Sequence, residues 1–369
     1  MEYTHLGRSG LTVSRLCLGT MNFGSRTEES ASHEIMDRAL AEGVNFFDTA
    51  NVYGGEAGKG RTEEVLGSWF AQGGERREKT VLATKVYGNM SSWPNDTFLS
   101  ARNIVRACEA SLRRLRTDWI DLYQFHHVDL RSPWEEIWQA CETLVAQGKV
   151  LYVGSSNHAA WQIAAANEAA ARRHFQGLVS EQSHYNLLTR HVELEVLPAA
   201  EHYGVGIIPW SPLAGGLLAG VLEKAEEGRR SDERTQKRVE KLRPQLERYE
   251  EFCREIGAAP ADVGVAWLLQ QPAVTAPIIG PRTMDQLTSQ LPAVDLVLSD
   301  DVLDAIDEIA DGGVDVEVVT PRDPHRRGSH VTVRLPGARE VTAALVERGP
   351  DGRATLRQVR SVRAPRRRG

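Results

Sequence analysis

Cysteine is scarce in this chain of 369 residues. The four cysteines, Cys17, Cys108, Cys141 and Cys253, lie far apart, with no C-x-x-C pair and no histidine at finger spacing. That excludes a disulfide framework and a cysteine-built metal centre, and it fits reduced thiols in a cytoplasmic protein. No metal is expected. Positive charge is not in excess: a net charge of -6 argues against nonspecific nucleic-acid binding by the whole chain. No uncharged run approaches the ~20 residues that cross a bilayer. The opening "MEYTHLGRSGLTVS" has no basic segment ahead of an apolar one, as a secretory leader would. The expectation is a soluble, cytoplasmic protein with neither membrane nor nucleic acid as partner. No G-x-G-x-x-G follows an apolar strand, so a Rossmann dinucleotide site is not indicated. "YGGEAGKG" imitates a phosphate loop, but Tyr53 stands where that loop begins with glycine and Gly60 where it ends in Ser or Thr. It reads as a turn. Nothing in the sequence sets an oligomeric state.

Hydrophobic residues at 41% and charged residues at 25% are ordinary globular values, so a packed core is expected. Short apolar runs alternate with amphipathic stretches. The predicted strands are "SRLCLGT" (14–20), "NFFDTA" (45–50), "TVLATKV" (80–86), "WIDLYQFH" (119–126), "VLYVGSSN" (150–157), "LVSEQSHY" (178–185), "GVGIIPWSP" (204–212) and "TAPIIG" (275–280). Each is followed by a helical pattern. Apolar strands alternating with helices mean a parallel α/β sheet covered by helices. Eight such units in about 300 residues suit a closed (β/α)8 TIM barrel better than an open sheet. The first fourteen residues read as a hairpin turning at Gly7 to Gly10 that plugs the barrel bottom. A charged helical excursion follows strand seven. From Thr320 to Gly369 the chain holds 13 arginines and 4 acids, a net of +9, and no aromatic residue, leaving -15 for residues 1–319. The division expected is a barrel over 1–313 and a separate basic extension over 314–369, partly disordered, with too little apolar surface at its end to order itself.

In such a barrel the functional face lies at the carboxyl ends of the strands. Strand two ends in Asp48, with Tyr53 in the loop beyond; strand three ends in Lys85 and strand four in His126. Singly these have bland readings: a turn cap, a lid on apolar surface, a snorkelling lysine, an inert loop histidine. Across three consecutive strands the joint reading is proton donation to a carbonyl. An ammonium beside a phenol stabilises phenolate and lowers its pKa. Lys85 supplies that charge, Asp48 anchors Lys85, and His126 orients the carbonyl. Glu181 in "VSEQ" keeps open a phosphate-binding isomerase on the same barrel, against which the neighbouring Gln182 argues.

"GVNFFDTANVYGGEAGKGRTEEVLG", "VLATKV", "IDLYQFHHVD", "GKVLYVGSSNH" and "PWSPLAGGLLAG" resemble the aldo-keto reductase superfamily, in the branch that includes potassium-channel β-subunits. The resemblance covers roughly residues 1–312. It implies a catalytic set of Asp48, Tyr53, Lys85 and His126, with His127 a rim residue, acting on a small-molecule aldehyde or ketone. It also implies NADPH. The resemblance gives the nicotinamide carboxamide to Ser156, Asn157 and Gln182, and the ring face to Trp210. Gly19, Thr20 and Asp48 join the cofactor set. Gly280, Arg282, Gln286 and Gln290 match the segment that grips the adenosine 2′-phosphate. From the residues themselves, "SPLAGG" offers a hydroxyl and close-approaching backbone for a phosphate at Ser211, Leu213 and Gly216, and Arg282 opens a helix. Gln286 stands where some relatives carry a second arginine and Gln290 where many carry asparagine, so Arg282 alone favours NADPH over NADH.

The reading that competes is a cofactor-sensing regulatory subunit with secondary catalysis; a complete catalytic set argues for the reductase. Trp93 and Phe23 either wall a substrate pocket or pack on each other. The segment 320–349 resembles a piece of the small domain of kynureninase-type enzymes without their Schiff-base lysine region, and is read either as a gene-boundary remnant or as a basic tail for acidic partners. Cutting the chain after Gly313 and comparing turnover and melting tests the tail: a large loss of either shows that it is integral.

Overall fold

The computed structural model of the chain describes residues 1–223 and 233–310 and, beyond them, the strands at 317–318, 331–334, 341–348 and 354–362. It forms two compact units, Met1–Leu303 and Asp304–Gly369.

The first unit opens with an antiparallel hairpin of β1 (Tyr3–His5) and β2 (Thr12–Ser14). Eight parallel strands follow: β3 (Cys17–Gly19), β4 (Phe46–Asp48), β5 (Val81–Val86), β6 (Ile120–Phe125), β7 (Val150–Ser156), β8 (Leu178–Gln182), β9 (Gly206–Ile207) and β10 (Ile278–Ile279). They run in the order β10-β3-β4-β5-β6-β7-β8-β9. The ring closes where the Ile207 N–H donates to Ala273 O at 3.0 Å, the Thr275 N–H to Ile207 O at 2.8 Å and the Ile278 N–H to Pro209 O at 2.8 Å. The helices between and after the strands are α1 (Glu29–Ala41), α2 (Arg61–Phe70), α3 (Ala101–Leu115), α4 (Trp134–Ala146), α5 (Ala160–Ala171), α6 (Val196–Tyr203), α7 (Glu233–Glu255), α8 (Pro260–Leu269), α9 (Met284–Gln290) and α10 (Asp300–Ala310). This is the expected (β/α)8 architecture with an N-terminal hairpin. Several strands are shorter than expected. Pro209 and Pro277 have no N–H for the ladder, so β9 stops at Ile207 and β10 starts only at Ile278.

Strand β4 accounts for its apolar run. Phe46 packs inside the barrel with Cys17, Ala83, Leu122 and Ile208. Phe47 packs outside with Leu18, Leu82 and Trp69, its ring 5.5 Å from the Trp69 ring. Both faces are covered, and only the last residue, Asp48, is polar. Helix α3 shows the companion pattern: Ser100 caps its first turn by accepting from the Asn103 N–H, and Ile104, Ala107, Cys108, Ser111, Leu112 and Leu115 share its buried face.

The hairpin does close the barrel floor. Leu6 and Val13 are fully buried among the interior residues. Gly7 sits at φ +54, where a Cβ would lie 2.4 Å from Val179 O and 2.5 Å from Gly204 O. Only glycine lets the turn approach the starts of β8 and β9 so closely. The charged excursion is α7, whose Leu246, Tyr249 and Cys253 are buried; residues 224–232 lie outside the description. Among the described residues no helix is long and apolar enough to cross a membrane.

The second unit contains a four-stranded antiparallel sheet of β11 (Glu317–Val318), β12 (Val331–Arg334), β13 (Val341–Arg348) and β14 (Ala354–Val362), paired in that order with register shifts between β13 and β14. Strand β14 falls within the stretch expected to lack order; the rest of that stretch, 350–353 and 363–369, lies outside the described residues.

Candidate active site

Successive residues of a strand point to opposite faces. In register, Gly19 pairs with Asp48 and Lys85 with Gln124, so the alternation that turns Phe46 inward also turns Asp48, Lys85 and Gln124 toward the axis at one end. Lys85 Nζ donates to Asp48 Oδ1 at 2.5 Å, to Thr49 O at 3.0 Å and to the Tyr53 hydroxyl at 3.2 Å. All three donors of the ammonium are thus used, and Lys85 is 0% exposed. Asp48 Oδ2 accepts from Gln124 Nε2 at 3.0 Å and from Gln182 Nε2 at 2.8 Å. Tyr53 is held from its loop: its amide donates to Ala50 O, and its carbonyl accepts from the Gly60 and Thr62 amides. Its ring stands edge-on to His126 at 5.8 Å, with the ammonium 4.9 Å from its centroid. The four groups read from separate strand ends therefore meet within one cluster. The glycine-rich loop between Tyr53 and α2 is a turn: Gly54 has φ +148, and a Cβ there would lie 1.9 Å from Gly58 O.

Electrostatics separate the roles. Burial pushes the Tyr53 phenol above its ordinary pKa; Lys85 pulls against this, while Asp48 adds to the rise. The acidification expected from Lys85 is present but smaller than the effect of burial, so the phenol keeps its proton. Burial alone would lower Lys85, but Asp48 and Tyr53 together hold it above its usual value. Burial, then the Lys85 charge and His127, hold the His126 imidazole down at about 3, which leaves it neutral near pH 7.

On the neighbouring side, Ser156, Asn157, Gln182 and Trp210 are also brought together. Ser156 Oγ donates to Gln182 O at 2.8 Å. Asn157 Nδ2 donates to His126 O and to Ser156 Oγ, and its Oδ1 accepts from Trp210 Nε1 at 3.1 Å. Gln182 Oε1 has no partner among the described residues, which leaves an acceptor for an amide N–H. Trp210 stacks on His184 at 4.2 Å and 12°. Beyond it, Ser211, Ala214, Gly215 and Gly216 all have positive φ, a backbone shape that gathers N–H groups in anion-binding concavities. Leu213 packs down toward the core, and α7 brings Arg238 Nη1 to 3.8 Å from where a Gly215 Cβ would be. These features fit a reduced dinucleotide.

Other expected contacts are already engaged. Gly19 is required by Ile278, whose Cγ2 would lie 2.5 Å from a Cβ. Thr20 is buried and donates from Oγ1 to Asp48 O at 2.9 Å. The Gln286 side chain accepts from the Arg282 N–H at 2.9 Å, and the Gln286 backbone N–H donates to Thr283 Oγ1, so Thr283 caps α9 and Gln286 is tied to the chain entering it. Gly280 O accepts from Asn22 Nδ2, Arg282 O from Thr27 Oγ1, and Gln290 is the last residue of α9. Phe23 is 0% exposed and Trp93 is 72% exposed, so the two do not pack on each other.

Sequence reasoning missed Gln124 and His184. Gln124 was findable: it lies two residues before His126, on the same face of the strand. His184 had no sequence signal, because its neighbour Trp210 is brought alongside only by a bridge between loops. Among the described residues no group of three or more His, Cys, Asp or Glu could hold a metal ion.

A family model described as the aldo/keto reductase family matches residues 15–311. A model for the kynureninase C-terminal domain matches residues 295–356. The chain is 53% identical over 316 residues to an uncharacterized oxidoreductase, YrpG, of Bacillus subtilis (strain 168), covering 85% of this chain and 97% of that protein. It is 34% identical to a probable voltage-gated potassium channel subunit beta of Arabidopsis thaliana, covering 84% and 96%. It is 32% identical to the versiconal hemiacetal acetate reductase of Aspergillus parasiticus, again covering 84% and 96%.

Proposed function

The chain belongs to the aldo/keto reductase family, and we propose that it reduces the carbonyl of small aldehydes or ketones to an alcohol with NADPH. The observation that carries this is the Lys85 ammonium bonded at once to Asp48 and to the Tyr53 hydroxyl. Reduced nicotinamide, when bound, supplies a hydride to the carbonyl carbon. Tyr53 donates its proton to the carbonyl oxygen as charge develops there, and Lys85 stabilises the phenolate left behind. Asp48 offsets the burial of Lys85. Neutral His126 donates a hydrogen bond that aims the carbonyl oxygen at the phenol. Ser156, Asn157 and Gln182 meet the carboxamide, with Trp210 backed by His184 as the flat face. The 211–216 turn, Arg238 and Arg282 take the phosphates. We assign this role to residues 1–313 and none of it to 314–369. Buried, unpaired cysteines support a cytoplasmic location.

NADPH consumption with a panel of aliphatic and aromatic aldehydes tests the reading. Tyr53→Phe is expected to lower turnover by ~10²–10⁴ while NADPH still binds; undiminished turnover in that variant refutes the assignment. Kinship with a channel subunit beta favours a second reading, cofactor binding with slow chemistry. NADPH binding without turnover on any aldehyde of the panel selects it.

A further inference from the structure

Glu181 takes no part in proton donation, yet it is fully buried one residue before Gln182. With Gln182 turned to the barrel axis, Glu181 lies on the outer side of the wall. There its carboxylate gathers donors. Ser155 Oγ donates to Oε2 at 2.5 Å, Ser183 Oγ to Oε1 at 2.9 Å, and the His158 backbone N–H to Oε1 at 3.1 Å. Ser155 and His158 flank Ser156 and Asn157, and Ser183 follows Gln182 directly. One carboxylate therefore ties the chain on both sides of the three residues assigned to the carboxamide. Asn157 has φ +60, in the left-handed region that asparagine enters more readily than most residues with a side chain.

We propose that Glu181 is a positioning residue: ionised, it holds the Ser156–Asn157 turn and Gln182 in the shape that receives the carboxamide, and protonation weakens that hold by reversing its bond to Ser155. This rests on the nicotinamide reading above. The titratable side chain within ion-pair reach among the described residues is His158, its Nδ1 3.9 Å from Oε2. That Nδ1 is 3.0 Å from Ser156 O, which can only accept, so Nδ1 carries the hydrogen. Burial holds His158 at about 4, so it stays neutral as Glu181 titrates. Burial pushes the Glu181 carboxyl up to about 7 against the donors that favour its charge. Ser155 Oγ also lies 3.3 Å from Ser180 O. When Glu181 takes a proton, Ser155 can turn its hydrogen to that carbonyl and receive the new O–H.

The test titrates NADPH fluorescence for Kd, and records melting, between about pH 5.5 and 8.5 in wild type, Glu181→Gln and Ser183→Ala. Wild type is expected to bind more tightly as pH rises through about 7, by about tenfold, the effect of one charge-assisted hydrogen bond. Glu181→Gln is expected to stay at the weak limit without pH dependence, and Ser183→Ala to bind more weakly while keeping the slope. Stability runs the opposite way. The unfolded carboxyl releases its proton near 4.5 and the folded one near 7, so this group's contribution is present in acid and lost as pH rises between those values. Glu181→Gln is therefore expected to melt no lower than wild type above pH 7. Weak, pH-independent binding in a variant of undiminished stability supports positioning over a merely structural role. Wild-type affinity and slope in Glu181→Gln overturn it; if that variant does not fold, wild-type affinity in Ser183→Ala at every pH overturns it. A wild type that binds no NADPH at any pH sinks the nicotinamide reading instead, and this inference with it.

Discussion

The barrel buries an ion pair near each end, and the two pairs differ in where their last hydrogen bond goes. At the amino end Arg77 donates to Asp121 at 2.7 Å, to Thr80 O, to Trp119 O and to Thr117 Oγ1, and stacks over the Trp119 ring. Asp121 in turn accepts from the Leu82 N–H and Trp119 Nε1. At the carboxyl end Lys85 is satisfied just as fully, but one of its three bonds ends on a phenol. Desolvating a charge is offset at both ends by the same means, a counter-ion plus extra hydrogen bonds. The partners of Arg77 hold strands together, whereas the phenol beside Lys85 has a proton to give. Buried charge alone does not mark a catalytic group; the chemistry of what it touches does.

The contrast predicts different losses at the two ends. Lys85→Met is expected to cut turnover by ~10²–10⁴, as loss of a proton-donor assembly does, in steady-state assays of NADPH oxidation. At the other end, Asp121→Ala leaves a buried guanidinium uncompensated and is expected to cost about 3–5 kcal/mol in denaturant unfolding. Turnover per folded molecule should stay at the wild-type level; a drop matching that of Lys85→Met would erase the distinction. Arg282→Ala is expected to weaken NADPH by roughly tenfold or more and NADH far less, the range for a lost charge-assisted hydrogen bond, by direct Kd measurement. Equal losses for both cofactors would place Arg282 away from the extra phosphate. The last prediction concerns pH. The folded imidazole of His126 titrates near 3 and the unfolded near 6.5. The unfolded chain thus binds the extra proton first, so this group's contribution is complete above about 6.5 and is lost as pH falls toward 3. Melting of His126→Gln should fall less steeply with acid than wild type, and wild-type kcat/KM should show no inflection near 6.5 from this group.

Much of the active end was legible because strand periodicity converts sequence into geometry. An aspartate closing "NFFD", a lysine closing "VLATK" and a histidine after "YQF" occupy successive parallel strands, and parallel pairing in register carries them to one rim. Less legible were side chains whose partners come from distant loops. Gln286 matched a phosphate-gripping position, yet its side-chain oxygen accepts the Arg282 N–H just ahead of the Thr283 cap, a contact that only the folded turn creates. Trp93 and Phe23 looked alike as aromatic candidates, and only packing sent one into the core and the other to solvent.

The amino-acid order by itself determined the strand and helix alternation, the hairpin, and which ionisable groups end the strands, since these follow from local periodicity and from where glycine and proline can stand. Tertiary structure alone decided that burial outweighs Lys85 in setting the Tyr53 phenol, that Gln124 and Gln182 converge on Asp48, and that Glu181 faces the back of the wall. Desolvation and hydrogen-bond partnership depend on what the rest of the chain packs around a group, and no local pattern encodes that.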